Sequence, residues 1–460
     1  MLHVSMGQAG TNCAGMSRRS AIRAGLFGAT GLSLAGLLRA EATSPKPTNQ
    51  PEKSVILIWL DGGPSQLETY DPKPGAPVEV RGPFGAISTK LPGVQVSELM
   101  PHTAKRLDQV SIIRSLAHGT GDHFAGGHWM TTGRFGATTA NKDIKSPSMG
   151  SVITHVKGGI APDMPPYVGL PAAQTIYLYP GYMGAAYLGN HLEPFQVNRE
   201  ASYLGVDDGR RVSSPPWLKN FGKERASLLS DRQSLLTQID QFRRDLDASR
   251  MAENLDQYQQ RAIEMILSGK ARTAFDFDQE NPRLADRYGS SPWARYTMMA
   301  RRLVEAGVRF VTVDMPHWDD HSNLERGHGR KVRVVDQAVG ALLDDLQDRG
   351  LLETTIVLVM GEFGRTPRIN KGLPNDPVPG RDHWGAAISA MIAGGGIPRG
   401  VVVGKTNDKA EYPTDRALAP GNLLATVYHH LGIDLNLSFK DHTGRPVPIL
   451  DENEPIAELI

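Results

Sequence analysis

Helical and strand patterns alternate along the second half of the chain, and this alternation limits the possible folds more than any other feature. Apolar residues at helical spacing predict helices over residues 294–305 and 332–348. Each predicted helix is followed by a glycine and then by a continuous apolar run, over 308–314 and 355–360. Apolar runs of this length are typical of strands that are buried on both faces. The pattern therefore predicts an α/β fold with a mainly parallel sheet flanked by helices.

Other segments of the chain fit the same fold. Residues 55–60, 110–113 and 387–393 are predicted to be further strands, and residues 423–431 a further helix. In residues 223–268, apolar residues recur at helical spacing with charges between them. We therefore expect one α/β domain over residues 54–460, with a long helical insertion over 222–275.

Acidic side chains follow three of the predicted strands. Asp61 comes directly after the run 55–60, Asp314 ends a second strand, and Glu362 follows a third. In a parallel sheet the carboxyl ends of the strands meet at one edge, where functional groups collect. A carboxylate at the tip of a buried strand is costly unless it is paired or binds a metal ion. The alternative is that these carboxylates have local structural roles: Asp61 caps a turn, and Glu362 pairs with Arg365.

Histidine-containing clusters follow the second and the third of these strands. One is the run His317-Trp318-Asp319-Asp320-His321, and the other, in a Gly/Pro-rich loop, is Asp382-His383-Trp384. Carboxylates and imidazoles brought together from separate strand ends are the groups with which hydrolases hold one or two divalent cations. The sequence therefore predicts a metal site that draws on three strand ends.

A third group of histidines lies in a glycine-rich segment. His118, His123 and His128 fall within eleven positions of one another. Their imidazoles could serve as metal ligands, as general acids or as a covalent nucleophile. The alternative is a turn-rich loop whose histidines form hydrogen bonds with the backbone.

Several common motifs do not apply to this sequence. Residues 400–406 resemble a phosphate-binding loop, but three residues instead of four separate the two glycines. The sequence contains no Gly-x-Ser-x-Gly elbow, which argues against a serine hydrolase of that type. No dinucleotide-binding fingerprint follows a predicted strand.

The composition narrows the choice of partners. The chain has 50 basic and 49 acidic residues, a formal net charge of +1, whereas nucleic-acid and membrane-surface binders concentrate basic residues on one face. We therefore expect no nucleic-acid partner. The single cysteine excludes an intrachain disulfide and a thiolate metal cluster.

The first 42 residues have the pattern of an export signal. The pair Arg18-Arg19 precedes an apolar stretch over 24–38, and Ala40-Glu41-Ala42 provides a small-x-small cleavage site. A membrane-spanning helix needs roughly 20 apolar residues, so no membrane span is predicted here or elsewhere. Consecutive arginines indicate twin-arginine export in a bacterium, with a Pro/Lys/Ser linker over 43–53. We expect a periplasmic or otherwise exported protein; the alternative is an amphipathic cytoplasmic helix.

Five motifs together resemble those of one protein family. They are Trp59-Leu60-Asp61-Gly62-Gly63-Pro64-Ser65, His128-Trp129-Met130-Thr131-Thr132-Gly133-Arg134, Trp318-Asp319-Asp320-His321, Gly361-Glu362-Phe363-Gly364-Arg365-Thr366-Pro367 and Gly380-Arg381-Asp382-His383-Trp384. The sequence resembles an uncharacterised family of exported, sulfatase-like proteins of the alkaline phosphatase superfamily, over nearly the whole chain after the signal. This resemblance implies a sheet carrying two metals, a nucleophile, and transfer or hydrolysis of phosphate or sulfate esters.

The resemblance also implies roles for single residues. The metal ligands that it implies are Asp61, Asp319, His321, Glu362 and His383. In sulfatases the nucleophilic cysteine or serine lies eleven residues before the arginine of a Leu-Thr-Gly-Arg-like ending, and counting back from Arg134 leads to His123. Phe363 stands where the superfamily has a second ligand. Because position 123 has no hydroxyl or thiol, three routes stay open: His123 attacks directly, a metal-activated water attacks, or the pocket binds without turnover.

These observations lead to one expected function and to alternatives. We expect an exported hydrolase of sulfate or phosphate esters, small molecules or glycans, that depends on a divalent metal (Zn, Mn, Ca or Mg). His123 or His128 would act as nucleophile or general acid, and Arg365 would hold the anion with bidentate geometry. The main alternative is a catalytically degenerate, sulfatase-like protein that binds anionic glycans or other anions. A phosphomutase or lyase on the same scaffold is a third possibility.

Overall fold

The structure is a computed structural model that describes residues 51–136, 138–141, 146–173, 183–198, 205–206 and 269–460. Residues Glu52–Ile460 form one compact unit. Every element named here belongs to this unit. The predicted export signal, most of the predicted linker and the predicted helix over 223–268 lie outside the described residues.

The strands of the described residues are short to medium in length. They are β1 (Ser54–Leu60), β2 (Ala86–Ser88), β3 (Gln95–Ser97), β4 (Ser111–Leu116), β5 (Tyr167–Leu170), β6 (Phe195–Gln196), β7 (Phe310–Met315), β8 (Thr355–Met360), β9 (Gly364–Arg365), β10 (His383–Trp384), β11 (Ile388–Gly394), β12 (Val402–Val403), β13 (Lys405–Thr406), β14 (Pro413–Asp415), β15 (Ser438–Lys440) and β16 (Pro446–Pro448).

The α-helices of the described residues include two long ones. They are α1 (Val78–Arg81), α2 (Pro101–Ala104), α3 (His123–Thr132), α4 (Met149–Lys157), α5 (Gly269–Phe275), α6 (Pro282–Tyr288), α7 (Pro292–Glu305), α8 (Leu324–Asp348) and α9 (Pro420–His430). Among them, none has the combination of length and apolar character that a membrane-spanning helix requires.

The main sheet of the described residues has eight strands in the order β12-β4-β11-β8-β1-β7-β5-β6. β1 pairs in parallel with β7 and β8, and β5 in parallel with β7 and β6. β11 runs antiparallel to both of its neighbours, β8 and β4. The predicted α/β fold with a mainly parallel sheet is therefore confirmed.

Helices cover both faces of this sheet. Alternate residues of β1 point to opposite faces, so Ile56 and Ile58 join one core cluster, whereas Leu57 and Trp59 join the other. The first cluster contains the apolar faces of α7 and α8, and the second contains those of α3, α4 and α9. Because both faces are buried, β1 has the continuous apolar sequence by which it was predicted.

Most predicted elements are present, with shifted ends. β8 has the predicted bounds, and α7 and α9 lie within three residues of theirs. The strand predicted over 110–113 continues to Leu116, and β5 was not predicted. α8 begins at Leu324, eight residues before the predicted start, because its first turns are polar and are held by polar contacts instead of an apolar face. Of the predicted insertion, the part that the structure describes is α5, Gly269–Phe275.

Candidate metal centre

The candidate site lies beyond the carboxyl ends of three adjacent parallel strands. Trp59 of β1 stands opposite Asp314 of β7 and Met360 of β8, so these three strands end at the same level. The residues that follow them, including Asp61 and Glu362, therefore meet at one edge of the sheet. α3 brings His123 to this edge, because Asp122 caps the helix and accepts a hydrogen bond from the Ala125 amide at 2.8 Å.

Asp319 is the centre of the site. Its Oδ1 lies 2.8 Å from His383 Nε2, 3.0 Å from His321 Nε2 and 2.8 Å from Arg365 Nη2, and its Oδ2 lies 3.2 Å from His123 Nε2. The loop that carries Asp319 lies against the turn after β1. At Gly62, whose φ is +114°, an added Cβ would lie 2.7 Å from the Asp319 amide nitrogen. Glycine at this position therefore permits the close approach of the two loops.

Each of the three imidazoles uses its Nδ1 atom to donate a hydrogen bond away from Asp319. His383 Nδ1 donates to the Gly121 carbonyl at 2.6 Å, and His321 Nδ1 donates to Asp382 Oδ1 at 2.7 Å. His123 Nδ1 donates to Glu362 Oε1 at 2.7 Å, and the same oxygen accepts the Gly62 amide. In the neutral rings the Nε2 lone pairs are therefore all directed towards Asp319.

This arrangement fits a divalent cation. One nitrogen each of His123 and His383 and one oxygen of Asp319 lie within 4.8 Å of one another. The Nε2 atoms of His321 and His383 are 3.0 Å apart, and two lone pairs at that distance repel each other unless a proton or a cation lies near both. Imidazoles whose other nitrogen donates to a carboxylate or carbonyl are the usual ligands of protein-bound metals. Imidazole and carboxylate donors of this kind suit an ion such as Zn²⁺ or Mn²⁺.

The pKa values show which groups carry protons when no cation is bound. Burial would lower the pKa of His123, but hydrogen bonds to Asp319 and Glu362 raise it to about 10. The hydrogen bond to Asp319 also raises the pKa of His321. Burial would raise the pKa of Asp319, but hydrogen bonds from His123, His321 and His383 hold it well below its usual range. Protons on His123 and His321 thus balance the negative charge of Asp319 in the metal-free protein.

Three buried carboxylates lie on the inner side of this site. Asp61 and Asp314 are each 1% exposed, and Glu362 is fully buried. Trp59 Nε1 donates to Asp61 Oδ1 at 3.4 Å. Neither carboxylate oxygen of Asp314 has a hydrogen-bond partner among the described residues. Burial raises the pKa of Asp314 well above its usual value, and the charges of Asp61 and Glu362 raise it further.

Arg365 has a different environment from the one that an anion clamp would need. Its side chain is fully buried. Its nitrogens donate to the carbonyl oxygens of Gly62, Gly63, Trp318 and Arg381 and to Asp319. A guanidinium held in this way fixes the loops around Asp319, so the expected bidentate contact with a substrate anion does not fit its position. The expected alternative pairing of Glu362 with Arg365 is not the contact that Glu362 makes; it contacts His123.

The remaining predicted histidines have other surroundings. His128 lies on α3 five residues after His123, on another face of the helix, and its Nδ1 donates to the Arg134 carbonyl at 2.8 Å. His118 Nε2 lies 2.7 Å from the Glu362 carbonyl oxygen. Phe363, where the resemblance implies a lost ligand, stacks on His383 with ring centroids 4.5 Å apart.

The structure thus brings the predicted ligands together to different degrees. Asp319, His321 and His383 are in direct contact, Glu362 reaches them through His123, and Asp61 lies with Asp314 on the inner side. Asp314 is predicted at a strand end but is not among the predicted site residues. Asp382 belongs to one of the five motifs without a predicted role, and in the structure it orients His321. The signal for Asp382 was its position next to His383.

The fold and the site therefore define an α/β protein with a candidate cation-binding group at the carboxyl edge of its sheet. The chain belongs to the family described as "Protein of unknown function (DUF1501)", which matches residues 52–460. No curated protein matches its sequence.

Several solved structures are distantly similar to this chain. A protein in the alkaline phosphatase superfamily from Vibrio parahaemolyticus is 12% identical, with a TM-score of 0.42, and the match covers 90% of this chain and 72% of that one. The PsFucS1 sulfatase from Pseudoalteromonas sp. is 13% identical, with a TM-score of 0.38, over 87% and 70% of the two chains. The phosphonate monoester hydrolase SpPMH from Silicibacter pomeroyi is 11% identical, with a TM-score of 0.36, over 84% and 74%. Similarity at this level leaves the chemistry of this chain to be argued from its own residues.

Proposed function

We propose that this protein is an exported hydrolase of sulfate or phosphate esters that depends on a divalent cation. The observation that carries the proposal is the convergence of three imidazole Nε2 atoms on one carboxylate, Asp319, while each Nδ1 is held by a separate acceptor. Such orientation of imidazoles by outer hydrogen bonds is typical of metal sites. The export signal is proposed from the sequence pattern of residues 1–42.

Four side chains would hold the cation: His123, Asp319, His321 and His383. A divalent cation held there would neutralise the charge of ester oxygens and lower the pKa of a bound water. Arg365 keeps Asp319 in place through its Nη2 contact at 2.8 Å. We assign Glu362 to the orientation of His123, because its Oε1 accepts the Nδ1 proton of that ring.

His123 fits the role of a ligand better than that of the attacking group. Its Nε2, the atom that would attack, lies 3.2 Å from Asp319 Oδ2. The Nε2 atoms of the other two rings also face Asp319. Its Nδ1 is held by Glu362. Direct attack of a solvent-derived nucleophile on the ester is therefore the route that this geometry favours, and it needs no covalent enzyme intermediate.

Hydrolysis across a panel of anionic esters tests the proposal. The metal-free protein is loaded in turn with Zn²⁺, Mn²⁺, Ca²⁺ and Mg²⁺ and assayed with aryl sulfates, aryl phosphates, phosphonate esters and sulfated sugars. We expect turnover with at least one pair of metal and ester, and its loss in Asp319→Asn. No turnover with any pair, while bound metal is demonstrated, would contradict the hydrolase function.

A second candidate function, capture of anionic glycans without turnover, is favoured by one surface feature. Phe135 is 56% exposed, and its ring centroid lies 5.2 Å from that of Trp129, which stacks on His118 at 5.4 Å. This aromatic row starts beside Glu362 and offers apolar ring surface on which a sugar could pack. Binding of sulfated oligosaccharides to the metal-loaded protein, retained with no product over days, would support capture; turnover of the same ligands would support the hydrolase.

A further inference from the structure

A buried polar cluster, outside the candidate metal site, connects helix α8 to the loops that carry the site. Its members are His328 and Lys331 of α8 and Asp320 of the preceding loop. His328 is fully buried, and Lys331 is 6% exposed. Buried ionisable groups are costly unless their hydrogen bonds are satisfied, so the contacts of this cluster need an explanation.

The protonation pattern of His328 follows from its two neighbours. The Ser65 amide donates to His328 Nε2 at 3.0 Å, so that nitrogen carries the lone pair. The proton is therefore on Nδ1, which donates to Asp320 Oδ2 at 2.6 Å. Burial lowers the pKa of His328, which keeps the ring neutral and this pattern fixed.

Asp320 receives two further bonds from Lys331. The Lys331 ammonium lies 2.7 Å from Asp320 Oδ1 and 2.8 Å from Oδ2, and it also donates to the His317 carbonyl. The first turn of α8 comes very close to this carboxylate. An added Cβ at Gly327 would lie 2.4 Å from Asp320 Oδ2, so a larger residue at 327 would displace the carboxylate.

Each contact of the cluster ends on a segment that carries a residue of the candidate site. Ser65 lies four residues after Asp61 in the loop that follows β1, and Asp320 lies between Asp319 and His321. The Asp320 carbonyl accepts the amide of Arg381 at 3.1 Å, two residues before His383. One cluster therefore ties together all three segments.

We propose that His328 is a positioning residue which, with Asp320 and Lys331, sets the spacing between Asp319, His321 and His383. The inference rests on the proposed function in that these three residues are its cation ligands. It goes beyond that function because it assigns the accuracy of the site to a helix that contributes no ligand.

Three substitutions of His328 separate its two hydrogen bonds. His328→Gln can still accept the Ser65 amide, His328→Asn can still donate to Asp320, and His328→Leu can do neither. The matched control is Tyr288→Phe, which removes a buried hydrogen bond of 2.9 Å to Asp345 near the other end of α8. The control is expected to lower thermal stability without moving the site.

The first readout is the affinity for Zn²⁺, measured by competition with a chelating indicator. We expect binding about tenfold weaker in His328→Leu, smaller losses in the two polar variants, and wild-type affinity in Tyr288→Phe. Wild-type affinity in a folded His328→Leu protein would overturn the proposal. If His328→Leu does not fold, wild-type affinity in both polar variants would overturn it equally.

The second readout does not depend on metal binding. The ring ¹⁵N chemical shifts of His321 and His383 are measured in the metal-free protein, labelled at histidine. We expect them to change in the His328 variants and to stay unchanged in Tyr288→Phe. Unchanged shifts in the His328 variants would overturn the positioning role. Changed shifts in a protein that binds no cation would support it and contradict the proposed function alone.

Discussion

The Nε2 atoms of His321 and His383 lie 3.0 Å apart, although each ring donates its Nδ1 proton to a different acceptor. Two neutral imidazoles in this arrangement would direct their lone pairs at each other. Asp319 Oδ1 lies within 3.0 Å of both atoms, so a positive charge at this point is strongly favoured. In the metal-free protein a proton supplies that charge, and a divalent cation can take its place.

Loss of an outer hydrogen-bond partner should weaken metal binding without removing a ligand. Asp382→Asn leaves His321 in place but removes the charge that its Nδ1 faces at 2.7 Å. We expect the affinity for Zn²⁺ to fall by about tenfold or more, as for other outer partners of metal ligands. Glu353→Asn, on the exposed surface, serves as the control. Equal affinities in Asp382→Asn and wild type would contradict the role of Asp382.

Metal binding should release protons at neutral pH. The pKa of His123 is about 10 in the metal-free protein, so this ring is charged at pH 7.5 and must lose a proton before Nε2 can bind a cation. Binding should therefore strengthen as pH rises, by up to about tenfold per pH unit for each proton released. Calorimetric titration in two buffers of different ionisation enthalpy gives the number of protons. Zero release, together with an affinity that does not vary with pH, would contradict this assignment.

Asp314→Asn should stabilise the metal-free protein, and more so at higher pH. The folded-state pKa of Asp314 is raised, so the unfolded state loses this proton at a lower pH than the folded state does. The wild type therefore loses stability as pH rises above the unfolded value, by about 1.4 kcal/mol per unit until the folded value is reached. The variant lacks this loss. The free energies of unfolding of the wild type and of Asp314→Asn, measured with urea in the presence of a chelator at pH 5 and pH 7, check this expectation. An equal difference between the two proteins at both pH values would contradict it.

Arg365→Lys should be costly even though it keeps the charge. A lysine cannot reproduce the contacts with four carbonyl oxygens and Asp319, and buried carbonyls would be left without donors. We expect the free energy of unfolding to fall by roughly 3 kcal/mol. Arg399→Lys, in an exposed pair with Glu353, should change it by less than about 0.5 kcal/mol. Denaturant unfolding of both variants measures these free energies. Similarly small losses in the two variants would mean that Arg365 does not fix the loops around Asp319.

Much of the fold could be predicted because burial on both faces leaves a plain trace in the sequence. β1 and β8 are continuous apolar runs, and their ends placed Asp61 and Glu362 at one edge. The direction of β11 could not be predicted, because an apolar run does not reveal whether its neighbours are parallel. The start of α8 was missed for a related reason: its first turns are held by Asp320 and not by apolar packing.

The candidate site was predictable in its residue types and not in its contacts. The carboxylates and imidazoles stood at strand ends, but nothing in the spacing shows that Gly121 holds His383 or that Glu362 holds His123. These pairs are separated by more than two hundred residues, and only the folded chain brings them together. The burial of Arg365 could not be predicted either, because it also depends on contacts between segments that are distant in the sequence. From the sequence alone, its guanidinium was expected to hold a substrate anion.

The measurement that tests the central claim most directly is a metal titration of the metal-free protein, paired with elemental analysis of the loaded form. We predict stoichiometric binding of at least one divalent transition-metal ion per chain, a loss of affinity of at least about a hundredfold in His383→Ala, and wild-type affinity in His442→Ala, whose histidine is exposed on the surface. Failure of the wild type to bind any such ion, or equal affinities in His383→Ala and wild type, would contradict the assignment of a cation to Asp319 and its histidines.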